Sequence, residues 1–141
     1  MPPDQGLPTG EAPGVPPGVP AASRYAQRLA QARPDSYRAA LAAIEQAVDA
    51  GAMRDYLDAQ PAGDETELKR ALRLLRQQVM LRVLLRDLSG RAPLAEVVAS
   101  MSDLAEVSLD YALKPLDPGL QAQHGTPMAN GRRQALLVVG M

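Results

Sequence analysis

The sequence predicts a mainly α-helical fold, a helical bundle piece that ends in one C-terminal β-strand. Three observations carry that expectation. The first is an uninterrupted stretch from Glu65 to Leu88 with apolar residues at helical spacing on two faces. The second is a regular alternation of capping residues and breakers, Ser23, Pro34, Gly51, Asp64 and Gly90, between shorter periodic segments. The third is Ala135–Val139, the one apolar run that is too short for a helix and contains two β-branched residues.

Composition narrows the function classes. At 141 residues the chain has the length of one ordinary domain, and its 46% hydrophobic content suffices for a packed core. Fifteen basic residues stand against 16 acidic ones, so no polyelectrolyte partner is implied. A nucleic-acid binder would gather a basic excess on one face, which makes a small DNA-binding protein the least favoured reading. No cysteine is present, which removes disulfides, thiolate metal sites and a cysteine nucleophile. Met1-Pro2-Pro3-Asp4 lacks the charged and apolar regions of a secretory signal, and no run reaches the length of a membrane span. Cytoplasmic localisation with no membrane contact is the expectation. Phe and Trp are absent, so Leu, Val, Met and Ala must fill the core around four tyrosines.

Residues 1–22 are expected to be a disordered Pro/Gly-rich tail, with seven of the 13 prolines and four of the 11 glycines before Ala21. Residues 23–133 are expected to be the helical region. Ser23 is placed to cap a helix that Pro34 stops after Arg33. Ser36 is expected to cap a second helix, closed by Gly51, with Tyr37, Leu41, Ile44 and Val48 as its apolar stripe. Met53, Tyr56 and Leu57 suggest a short helical turn before the break at Gln60-Pro61-Ala62-Gly63.

Asp64 and Glu67 then form a capping-box pattern, with Asp in place of Ser or Thr. Leu68, Leu72, Leu75, Val79 and Val83 fall on one face of the helix that follows, and Leu74, Leu81, Leu85 and Leu88 on another, turned by roughly 150°. Two apolar faces imply neighbours on more than one side, hence a central helix. Ser89-Gly90 ends it. Pro93 suits the start of another helix from Leu94 to Leu113, with Leu94, Val97, Val98, Met101, Leu104, Ala105 and Ala112 as its stripe. Glu96, Asp103, Glu106 and Asp110 are expected to point elsewhere, and Lys114-Pro115 to break the helix. A polar loop carrying His124 and an Asn130-Gly131 turn leads into the strand, read as buried on both faces.

From Leu68 to Met141 the chain carries, in order, Leu72-Arg73-Leu74-Leu75-Arg76, Met80-Leu81-Arg82 and Arg86-Asp87-Leu88-Ser89-Gly90. Leu94-Ala95-Glu96-Val97, Ser102-Asp103-Leu104-Ala105, His124-Gly125-Thr126-Pro127 and the closing Leu136–Met141 continue the series. This ordered text resembles the amino-terminal domain of the bacterial glutamine synthetase adenylyltransferase family, which both adenylylates and removes adenylyl groups. No single motif decides the match; the order over about half the chain does. The resemblance implies that residues 134–141 are the first strand of a truncated nucleotidyltransferase domain, the adenylyl-removing one. It implies a parent enzyme that moves AMP from ATP to a tyrosine of glutamine synthetase and removes it by phosphorolysis. Mg²⁺ and ATP are that enzyme's cofactors, and glutamine synthetase and the PII signalling protein its partners. The glycine-rich loop and paired carboxylates of that chemistry are expected beyond residue 141. The segment itself is therefore expected to be inactive and to bind no cofactor, with no catalytic, cofactor-binding or metal residues.

Several residues admit two readings. Arg82 and Arg86 lie within roughly 20° of Leu75 on the apolar stripe, so each needs an anionic or carbonyl partner or must reach the edge. A phosphate pocket is the functional reading and a structural ion-pair network the favoured one. Lys69, Arg70, Arg73 and Arg76 form a basic strip that reads as a solvated flank, with Glu65 placed to pair with Lys69. His124 stands without companions that would make a metal site, and Met80 and Met101 read as core filler. Tyr25, Tyr37, Tyr56 and Tyr111 read as packing residues of helices rather than modification sites. The rival to the enzyme-fragment reading is a stand-alone helical interaction module. The two differ at Leu136–Val139, which a module would cover and a fragment would expose, with aggregation as the consequence.

Overall fold

A computed structural model of the chain describes residues 22–60 and 64–140. The expected tail before Ala22, the break at residues 61–63 and Met141 lie outside these described residues. Five helices and one two-stranded ribbon follow in order: α1 Arg24–Ala32, α2 Pro34–Ala42, α3 Ala50–Asp58, α4 Glu65–Leu88, α5 Leu94–His124, β1 Met128–Ala129 and β2 Arg132–Arg133. The fold is mainly helical, as the sequence predicts.

α4 forms where no proline or glycine interrupts 24 residues and where Asp64 accepts from the backbone N–H groups of Thr66 and Glu67, at 2.8 and 3.0 Å. It touches each of the other four helices, so it is the central helix. Its two faces do separate work. Ala71, Leu75, Val79 and Val83 join Met53 and Leu57 of α3 and Leu104 and Val107 of α5 in one cluster. Leu81 and Leu85 join Ala26 of α1, Ala40 of α2 and Ile44 in a second. Met53, Leu81, Leu85 and Val107 are fully buried.

The N-terminal helices correct the expected boundaries. Ser23 caps α1 as expected, accepting from the Ala26 N–H at 3.3 Å. Ser36, however, lies inside α2 and caps nothing. Pro34 begins that helix at its first position, because its fixed φ suits a helix start and its missing N–H is no loss there. Gly51 does not close α2, which ends at Ala42. It sits near the start of α3, where Asp49 is the cap and accepts from the Ala52 N–H at 2.8 Å. Ile44 and Val48 are buried from the connection between the helices rather than from a helical stripe.

α5 differs more. It continues through Pro115 and Pro118 to His124. Each proline removes one helical hydrogen bond and crowds the carbonyl four residues earlier, which costs about 3 kcal/mol in a helix interior. Here residues 114–120 are exposed, and water can serve the freed carbonyls. His124 is accordingly the last residue of a helix and not part of a loop. The buried face of α5 is Ser100, Leu104 and Val107, whereas Leu94 and Val98 are exposed at 77% and 56%. Glu96 and Asp103 point inward to polar partners instead of elsewhere.

The Asn130-Gly131 turn is present with positive φ at both residues, 51° and 71°, as a two-residue hairpin requires. It pairs Met128 with Arg133 and Ala129 with Arg132, and Arg133 reaches Asp117 of α5 at 2.8 Å. The ribbon therefore precedes the run read as a strand. Residues 134–140 form no ladder, since a strand needs a neighbour for its N–H and C=O groups and the ribbon ends at Arg133. Leu136, Leu137 and Val139 are 68%, 81% and 72% exposed, so this run is not buried on two faces.

Candidate functional site

The polar chemistry of the molecule gathers where the connection from Ala43 to Asp49 passes between the two apolar clusters. Such a segment must find partners for its backbone groups. Three side chains from α4 and α5 supply them. Arg86 donates through Nη1 to the Ile44 carbonyl, the Ser100 hydroxyl donates to the Val48 carbonyl at 2.9 Å, and the Asp103 carboxylate accepts from the Ala50 N–H at 3.1 Å.

Arg86 is the hub. Its Nε and Nη2 donate to the two oxygens of Glu96 at 2.7 and 3.0 Å, and Nη2 also donates to the Arg91 carbonyl at 3.2 Å. The Ser89-Gly90 turn makes this possible by folding α5 back so that a residue ten positions later faces Arg86. Gly90 takes a φ of 71° there, a conformation that side-chain-bearing residues rarely adopt. The hydrogen bond to Glu96 raises the Arg86 pKa against the opposing effect of burial, with the charges of Glu96 and Glu45 adding to it. The same bond lowers the Glu96 pKa. Outside this pair, Arg91 reaches Glu45 at 2.8 Å. The structural reading of Arg86 stands.

Arg82, one turn earlier, is different. It is half-buried and has no hydrogen bond or ion pair among the described residues. Burial lowers its pKa, and the positive charge of Arg86 lowers it further. Its side chain lines a cavity of 210 Å³ between α2, α3 and α4, with Ser36, Tyr56 and Gln78 as the other hydrogen-bonding residues. Ala39, Ala40, Val48, Ala52, Met53, Leu75 and Val79 complete the walls. The structural network proposed for both arginines thus holds for Arg86 alone.

The remaining singled-out residues stay apart from this site. Lys69 pairs with Glu65, 2.5 Å away, on the exposed side of α4, in keeping with a solvated flank. Met101 packs against the larger cluster as core filler. All four tyrosines lie in helices. Tyr37 and Tyr56 pack against the clusters, and Tyr25 remains 40% exposed. Tyr111 donates to the Asp58 carboxylate, and Lys114 Nζ stands 4.1 Å above its ring. That hydrogen bond is the main reason the Tyr111 pKa is pushed up to about 12. The described residues contain no group of three or more His, Asp or Glu placed to hold a metal ion. No described helix is long and apolar enough to cross a membrane.

Comparison with known proteins is consistent over most of the chain. The family described as glutamate-ammonia ligase adenylyltransferase matches residues 18–141. A bifunctional glutamine synthetase adenylyltransferase/adenylyl-removing enzyme of Thioalkalivibrio sulfidiphilus is 44% identical over 101 residues, 70% of this chain and 10% of that protein. The enzyme of the same name from Aromatoleum aromaticum is 43% identical over 99 residues, again 70% of this chain and 10% of its own length. That from Burkholderia mallei is 50% identical over 78 residues, 55% of this chain and 8% of its own. The chain spans about a tenth of the length of these curated relatives. No solved structure matches it.

Proposed function

The chain belongs to the glutamate-ammonia ligase adenylyltransferase family, and on that premise we propose that it is the amino-terminal helical part of an enzyme that adenylylates and deadenylylates a tyrosine of glutamine synthetase. The observation that carries this reading is the alignment at 44% identity over 101 residues with a relative whose name states both activities. In this reading the helices hold and orient the domain that follows, and they do no chemistry. Mg²⁺ and ATP act in later parts of the enzyme, glutamine synthetase is the substrate, PII is the regulator, and the setting is the cytoplasm of a bacterial cell controlling nitrogen assimilation.

The exposed run Leu136–Val139 supports the same reading. Four large apolar residues in sequence on a monomer surface mark a face that is covered in the working protein. A sheet that accepts this run as a strand would satisfy both its side chains and its unpaired backbone groups. Residues 134–141 are the proposed first strand of a nucleotidyltransferase domain.

The test has two parts. The coding DNA is read beyond the Met141 codon, where an open frame with a glycine-rich loop and an Asp-x-Asp pair is expected. Adenylylated glutamine synthetase is then incubated with phosphate and either the 141-residue chain or the product of the longer frame. Release of ADP by the longer protein and none by the shorter one is the expected result. A stop codon after Met141, together with a monodisperse folded chain, would instead favour the stand-alone helical module.

A further inference from the structure

We propose that the cavity between α2, α3 and α4 binds a small monocarboxylate, its carboxylate on the Arg82 guanidinium and its short aliphatic chain toward Met53, Leu75 and Val79. The inference stands on geometry that the enzyme reading does not use, and neither depends on the other.

Charge selects an anion. Arg82 is half-buried beside the cavity without an ion-pair partner among the described residues, while the acids of the neighbourhood are engaged elsewhere. Glu96 holds Arg86, Glu45 holds Arg91, Asp35 holds Arg38, and Asp49 caps α3. Burial and the positive charge of Arg86 both act against the charged form of Arg82. A guanidinium taken from water without a counter-charge is costly, and an arriving anion offsets that cost.

The number of charges selects one carboxylate. Glu96 neutralises Arg86, which leaves a single uncompensated cation for the site. A phosphate dianion would bring a second negative charge with nothing to meet it. An α-amino acid would place its ammonium near Arg82 with no acid to receive it. The planar fork of arginine matches a carboxylate through two parallel hydrogen bonds. Ser36 and Gln78, which make no other side-chain hydrogen bond among the described residues, can complete its shell.

Size and lining select the rest of the ligand. The 210 Å³ cavity has room for several water-sized groups. Its walls apart from Arg82, Ser36, Tyr56 and Gln78 are Ala, Val, Leu and Met side chains. A short alkyl carboxylate satisfies both ends. With one guanidinium at a half-open site, the dissociation constant is expected on the order of 1 mM.

The experiment is an NMR titration of the ¹⁵N-labelled 141-residue chain with sodium butyrate, exchanged against sodium chloride at constant ionic strength. Saturable shifts at the Arg82 Nε–H and at the amides of Ser36, Ala52 and Gln78 are expected, with sodium phosphate at least tenfold weaker. Arg82→Gln should weaken butyrate at least tenfold. Gln78→Glu places a carboxylate one helical turn before Arg82, so an internal pair should displace butyrate while the spectrum stays that of the folded chain. This second variant decides the matter if Arg82→Gln does not fold. Shifts that never saturate, phosphate binding as tightly as butyrate, or unchanged binding in Gln78→Glu would overturn the assignment.

Discussion

Removing the charge of Glu96 should destabilise the fold more than its position near the surface suggests. The side chains of Arg86 and Glu96 are 8% and 23% exposed, so the arginine is the deeply buried partner. In Glu96→Gln the Arg86 guanidinium keeps its bonds to the Ile44 and Arg91 carbonyls but loses the only carboxylate it touches among the described residues. Stranding a buried charge costs about 3–5 kcal/mol, and partial water access at Glu96 places this case at about 2–3 kcal/mol. Arg86→Met strands two carbonyls and leaves Glu96 half-solvated. At about 1–3 kcal/mol for each buried unsatisfied group, about 3–4 kcal/mol is expected. In the double variant no charge is stranded. Its cost should match Arg86→Met alone, giving a coupling of about 2 kcal/mol. Urea unfolding followed by circular dichroism at 222 nm reads all four proteins, since most of the described chain is helical. Additive single costs, or a loss below about 0.5 kcal/mol in Glu96→Gln, would refute the buried-pair argument. The sign with pH is also fixed. The Glu96 pKa is lowered in the fold, so its contribution is present above the unfolded glutamate range near about 4.3 and disappears as pH falls through the lower folded value.

Tyr111 should set an alkaline limit. Its pKa is raised from 10.0 to about 12, so its contribution is full below pH 10 and is lost as pH rises through 12. Urea unfolding at pH 8 and at pH 11.5 should show a fall in stability that Tyr111→Phe reduces. Asp64→Ala should cost about 1 kcal/mol in the same assay, because it frees two N–H groups at the start of the central helix. Ser100→Ala should cost about 1–2 kcal/mol by orphaning the buried Val48 carbonyl. Leu137→Lys should leave stability within about 0.5 kcal/mol and reduce the concentration-dependent association measured by sedimentation velocity. Lost stability in that variant would mean that the run is packed after all.

The bounds of the central helix and most of its two faces were legible because these signals are local, although Leu88 of the second face is 39% exposed. Asp64, the unbroken 24 residues and the two leucine faces each depend on neighbours within a few turns. Boundaries failed where two local signals compete. Pro34 and Ser36 both announce a helix start, and the proline acts first in the chain. Asp49 and Gly51 announce a start and a stop two residues apart, and the aspartate side chain wins because it has an N–H to accept from. The prolines of α5 misled for another reason. The breaking rule states a local cost and not a prohibition, and α5 continues through Pro115 and Pro118 to His124. The two arginines show the limit at the site. Periodicity placed both on the apolar stripe, and that was right to within one turn. Which of them finds a carboxylate depends on the reversal at Gly90, which brings Glu96 to Arg86 and not to Arg82.

The cavity and the polar pins have a common origin in composition. Without Phe or Trp, α1, α2 and the connection after them offer the central helix mostly Ala26, Ala40, Ile44, Leu29 and Leu41. Small side chains bring helices close but specify their register poorly, because a slide of one residue costs little packing. Directed hydrogen bonds supply what the packing lacks. Arg86 fixes the connection at Ile44, Ser100 fixes it at Val48 and Asp103 at Ala50, so α2 and α3 are both positioned from α4 and α5. Alanines also line the Arg82 cavity, with Ala39 and Ala40 from α2 and Ala52 from α3. Larger residues at these positions would close that space and force the guanidinium out to solvent.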